Sequence, residues 1–150
     1  MRTLHFFVSG LPKGQPRVKA FKRGNHAGVY DPGTADAWKG CVRAEFKGRS
    51  AELVKPVYMG PVAVAMRFVM PRPKSHLRAS GWELKPNAPR YVTTKPDADN
   101  LAKAVLDALT DVSAWTDDSV VVSLNVVKTY GSETGCEIQI SPLTQEVCRE

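Results

Sequence analysis

"KPDADNLAKAVLDALTDVSAWTDDSVVVSLNVVKTY", Lys95 to Tyr130, contains both periodicities from which a fold is assembled. Leu101, Ala104, Val105, Ala108, Leu109 and Val112 recur at i, i+3, i+4, i+7, which predicts an amphipathic helix buried along one stripe. Pro96 keeps Lys95 out of the α region, and Asp97 or Asp99 is placed to supply the N-cap. After "WTDD", the period drops to two: Val120, Val122, Leu124 and Val126 alternate, as in a strand with one buried face.

Working outward, "TGCEIQI" predicts a final strand through Cys136, Ile138 and Ile140. Upstream, "GPVAVAMRFVMP" alternates Val62, Val64, Met66, Phe68 and Met70 between two prolines, a strand signal. "LHFFVSG" alternates Leu4, Phe6 and Val8 and stops at Gly10. From Thr34 to about Lys47, Ala35, Trp38, Val42 and Phe46 fall near helical spacing with Thr34 as N-cap, and Lys39, Arg43 and Lys47 share another side. Strands and helices without strict βαβ alternation predict an α+β class, or α/β with a mixed sheet, in one compact domain over residues 1–150.

Two basic loops interrupt this order. Residues 10–27 are broken by Pro12, Gly14 and Pro16 and carry Lys13, Arg17, Lys19, Lys22 and Arg23. Residues 71–95 show no periodicity, and from Arg72 onward they hold Arg72, Lys74, Arg78, Lys85, Arg90 and Lys95 against a lone Glu83. These are candidate contacts to a phosphate backbone, above all Lys13, Arg17, Lys19, Lys22, Arg23, Arg72, Lys74, Arg90 and Lys95; the alternative is charge that keeps a loop solvated. The tail, about 141–150, is expected to fray.

The formal charge of +6 is unevenly distributed. Residues 1–96 balance to +13 and residues 97–150 to −7. Such segregation points to nucleic acid or another polyanion. Cys41, Cys136 and Cys148 form no C-x-x-C pair, so free thiols are expected rather than a disulfide framework or zinc site. No apolar run of membrane-spanning length occurs, and the opening apolar stretch is too short for a signal peptide, so a cytoplasmic protein with no membrane partner is expected.

The acids support two readings. Asp97 and Asp99 can simply cap a helix, and Asp117-Asp118 can simply form a turn. Together they can also supply the all-oxygen donors that Mg²⁺ requires, with Mn²⁺ as a substitute, and a divalent ion would reconcile carboxylates with DNA delivered by the basic loops. Lys103, four residues after Asp99, is either an exposed salt bridge to it or a cation for the scissile phosphate. Asp118 meets the helix start only if the chain doubles back along roughly 17 Å of helix. Thr110 to Asp117 can extend about 26–29 Å, enough for the return, with Trp115 as an anchor.

Other chemistries lack support. His5, His26 and His76 have no metal spacing, and no glycine-rich phosphate loop is present. Asp-x-Asp glycosyltransferases need a larger domain. Asp107 and Asp111 read as solvated charges.

The stretch quoted at the outset resembles the RusA-type Holliday-junction resolvases: an Asp-x-Asp-Asn-Leu-x-Lys start, a helix ending in Asp-Ala-Leu, a Trp-x-Asp-Asp turn and an apolar strand. "GLPKGQPR" looks like that family's basic N-terminal loop. The likeness is specific over 95–130, looser over 4–70, and gives little guidance for 71–94 or the tail. Ala98 is smaller than the apolar residue expected between the two acids. The resemblance implies a homodimeric endonuclease that binds four-way DNA junctions and, with Mg²⁺, cuts symmetrically opposed strands. It implies catalytic roles for Asp97, Asp99, Lys103 and Asp118, the three aspartates holding the metal. Two rivals remain at this level: a non-catalytic DNA-binding protein, and a nuclease for flaps or forks.

Overall fold

A computed structural model describes residues 2–148. Its elements in chain order are β1 (Leu4–Ser9), β2 (Lys19–Arg23), β3 (His26–Tyr30), α1 (Asp36–Arg49), β4 (Val62–Met70), α2 (Ala98–Asp111), β5 (Val121–Tyr130) and β6 (Gly135–Pro142). Four strands form a mixed sheet in the order β1-β6-β4-β5, antiparallel except where β4 and β5 run parallel. The class is α+β with a mixed sheet, as the periodicities predict. β4 needs a long connection to reach its parallel neighbour, and α2 lies within it.

One core joins sheet and helices. Leu4, Phe6 and Val8 of β1, Val64, Met66 and Phe68 of β4, and Cys136, Ile138 and Ile140 of β6 are buried with Trp38, Val42 and Phe46 of α1 and Leu101, Val105 and Leu109 of α2. Period-two residues meet period-3.6 residues across a single apolar layer. Arg43 of α1 reaches Asp111 of α2 at 3.1 Å, so Asp111 is paired rather than simply solvated. His5 lies on the sheet's solvent side with Glu137, which also takes Arg67 at 2.7 Å. The three cysteines are free thiols.

Five expectations are corrected. Residues 10–27 are not all loop: β2 and β3 form a hairpin turning at Gly24-Asn25, with Arg23 opposite His26. Nearly every hairpin residue is exposed, so no apolar alternation marked it; the Gly-Asn pair was the available signal. Thr34 does not cap α1. The N-cap position is Ala35, without a side-chain bond; Asp31 organises the preceding turn by accepting from Gly33 N at 2.8 Å. In β5 the alternation does not translate into burial: Val122 and Leu124 are 63% and 46% exposed while Val121 and Val126 pack on the core, and the pairing with β4 is irregular opposite Val62/Ala63. Finally, 71–95 is not unstructured: Leu77 bridges Leu84, Tyr91 bridges Thr129, and Arg72 donates to the Pro89 carbonyl at 2.7 Å. β6 likewise extends to Pro142, two residues into the segment expected to fray.

Candidate active site

The start of α2 is held from three directions. Lys128 of β5 donates from Nζ to the carbonyl oxygens of Thr94 and Pro96, both at 2.8 Å. Gln15 N donates to the Asn100 carbonyl at 2.9 Å. Gly14 permits that approach, since a Cβ there would stand 3.2 Å from Asn100 Cβ and 3.3 Å from Pro96 Cβ. The "GLPKGQPR" loop therefore lies against the first turn of α2, and Lys13 and Lys95 line one cavity of about 470 Å³.

Asp97 occupies the N-cap position but makes no side-chain capping bond. Its carboxylate instead accepts from Lys95 Nζ at 2.8 Å. That bond, together with the charges of Lys95, Lys128 and Arg17, holds the Asp97 carboxyl below its usual range despite some desolvation. The pure capping reading of Asp97 thus loses its main interaction.

The doubling back occurs. Trp115 is buried and donates from Nε1 to Thr110 Oγ1 at 2.7 Å, fastening the crossing to the helix end. Asp117 then closes a 3-10 turn, Asp118–Val120, by accepting from Ser119 N at 2.8 Å, which also lowers its pKa. Asp117 is the turn-former, and its neighbour Asp118 is left for other work.

Asp99, Lys103 and Asp118 line one cleft of about 420 Å³ between α2 and β5, with Ala98, Ala102, Leu106, Leu124 and Val126 as its apolar lining. Lys103 extends to Asp107 at 3.4 Å rather than forming the expected pair with Asp99. Asp107 is therefore its partner and not merely a solvated charge. Among the described residues, no three His, Cys, Asp or Glu side chains stand close enough together to hold a metal ion. Asp97, directed to Lys95, is absent from the cleft lining.

The remaining sequence candidates divide by position. Lys19, Lys22 and Arg23 lie on the exposed β2 strand, and Lys74 opens a 3-10 turn. Arg72 stacks over Tyr130 at 5.3 Å and Arg90 over Tyr91 at 5.4 Å, so both are pre-positioned by aromatic rings. Lys128 was missed. Its signal was its rarity, as one of three Lys/Arg in the acidic final segment and set in an apolar strand.

A mixed sheet thus carries an acid-and-lysine cleft beside cationic loops. The family model described as Endodeoxyribonuclease RusA matches residues 9–141, and the chain belongs to that family. Membership makes it an endodeoxyribonuclease of the Holliday-junction-resolving kind, acting on branched DNA. The chain is also 32% identical over 143 residues to the uncharacterized protein YqaN of Bacillus subtilis (strain 168), covering 93% of this chain and 96% of that one. Among the described residues, no helix is long and apolar enough to cross a membrane.

Proposed function

We propose that the protein is a Mg²⁺-dependent, structure-selective endonuclease that resolves four-way junctions by paired symmetric cuts, working as a homodimer. The observation that carries this is the meeting of Asp99, Lys103 and Asp118 in one cleft across nineteen residues of sequence. The donor set fits a hard divalent cation, because Asp99 and Asp118 offer only oxygen and Asp97 lies two residues away in an exposed, weakly held ion pair. Asp99 and Asp118 would hold the ion, joined by Asp97 once DNA phosphate draws Lys95 away. When bound, Mg²⁺ or substituting Mn²⁺ supplies Lewis-acid polarisation of the phosphoryl group.

The chain's own groups do the rest. Lys103 offsets charge that builds on the phosphate. Lys13, Arg17 and Lys95 draw the backbone to the α2 start, and the β2 hairpin with Arg72, Lys74 and Arg90 extends the basic surface. Two such sites match the near-twofold symmetry of a junction.

The test uses an end-labelled four-way junction, a fork, a flap and a matched linear duplex, each with and without Mg²⁺. Cleavage of the junction alone, at symmetric positions and only with Mg²⁺, is expected. Asp99→Asn should reduce cleavage by at least about 10²-fold while junction binding persists. Cleavage unaffected by that substitution, or none by the wild type, would favour a DNA-binding role; preference for flaps or forks would reassign the substrate.

A further inference from the structure

The segment between β4 and α2 presents an aromatic side chain that the cleavage chemistry does not use. Trp82 is 76% exposed, whereas Trp38 and Trp115 are 2% and 1% exposed in the core. Trp82 does not hang on a loose loop. Arg78 N donates to the Glu83 carbonyl at 2.7 Å, Lys85 N to the His76 carbonyl at 2.9 Å, and Gly81 N to the Arg78 carbonyl at 2.9 Å, with Leu77 bridging Leu84. A backbone-bonded hairpin thus carries a tryptophan next to its turn.

Trp82 lines a cavity of about 640 Å³ together with Arg72 and Tyr130. Tyr130 and Pro71 also line the neighbouring 470 Å³ cavity, whose other lining includes Lys13 and Lys95. A continuous track therefore runs from the indole, past a guanidinium stacked on a phenol ring, to the ammonium that pairs with Asp97. The six Lys/Arg and one acid between Arg72 and Lys95 give this track the sign that suits a polyanion.

We propose that Trp82 and the Arg72–Tyr130 pair form a stacking site for an unpaired DNA base beside the branch point, a role that rests on the nuclease reading above and adds a base-recognition subsite to it. An exposed ring flanked by a fixed cation matches a nucleobase with its attached phosphate. Within a duplex the base faces are already stacked on one another, and only the edges are open in the grooves. The ligand is therefore a base freed where strands exchange. Selectivity for branched DNA would then come partly from this site, which shares no lining residue with the Asp99–Asp118 cleft.

The experiment uses the full chain in EDTA, so that no DNA is cut, with three probes: oligothymidylate, a linear duplex, and a four-way junction with an unpaired 2-aminopurine at its centre. Since the other two tryptophans are buried, a change in tryptophan emission on binding reports Trp82. Oligothymidylate and the junction should quench it, and the 2-aminopurine emission of the junction should shift on binding. Trp82→Ala should abolish both signals and weaken binding to these two DNAs about tenfold, leaving duplex affinity within about twofold; Trp82→Phe should restore most of the affinity. Unchanged emission, or equal loss of affinity on all three DNAs, overturns the proposal. A shift in oligomeric state for Trp82→Ala overturns it too, by placing the indole between copies of the chain. If junctions are cut with Mg²⁺ while Trp82 stays silent, only this inference fails; if neither branched nor single-stranded DNA binds, the nuclease reading fails with it.

Discussion

Asp97 accepts a hydrogen bond from Lys95 and lies in the field of Lys128 and Arg17, and this accounts for a carboxyl held below its usual range. Because the folded-state pKa is depressed, whatever stability the contact contributes is present above the ordinary carboxylate range and is lost as pH falls through the lowered value. Lys95→Ala should therefore move the Asp97 titration upward, toward the ordinary carboxylate range, in a carboxyl-carbon NMR titration. An unmoved titration would show that Lys128 and Arg17 set the carboxyl alone. Asp97 and Lys103 illustrate one limit of reading a chain by spacing. Two residues apart or four apart, a partner is within reach, but Lys103 meets Asp107 and Asp97 meets Lys95, because helix direction and neighbouring charges select among several reachable partners.

At the scale of elements, α2 links the core to the candidate site. Its inner side buries Leu101, Val105 and Leu109 completely, and residues on its flank, Asp99 and Lys103, face the cleft shared with β5. Truncating the inner side should loosen both. Leu109→Ala is expected to cost about 2–5 kcal/mol by urea unfolding, through lost burial and the cavity left behind. A cost below about 1 kcal/mol would mean that α2 is not a core element. The strand facing it was legible as a strand but not in its exposure. β5 is an edge strand that α2 covers only in part, so Val122 and Leu124 remain open. Alternation reveals which residues share a face, and it carries no information about what, if anything, lies over that face.

Across the whole molecule, the charge split of the sequence is partly folded away. Arg43–Asp111, Arg67–Glu137 and Lys95–Asp97 each pair a residue of the basic segment with one of the acidic segment. Among the described residues, the exposed β2 cations and Lys13 stand outside these ion pairs, so DNA affinity should depend steeply on salt. Between about 50 and 200 mM salt, junction binding is expected to fall by about 10³-fold if six phosphates are contacted. A flat dependence would remove the basic loops from the interface.

The sequence by itself determined the local periods, and with them both helices, the four strands of the main sheet, the buried residues of β1, β4 and β6, and the family motif that identifies the nuclease. These follow from interactions between residues a few positions apart, which repeat visibly along the chain. The tertiary structure alone decided that Asp118 returns to Asp99, that Lys128 pins the start of α2, that β5 lies at an edge and that Trp82 stands free. Each of these depends on contacts between segments remote along the chain, and no repeat within a segment encodes which distant partner it will meet.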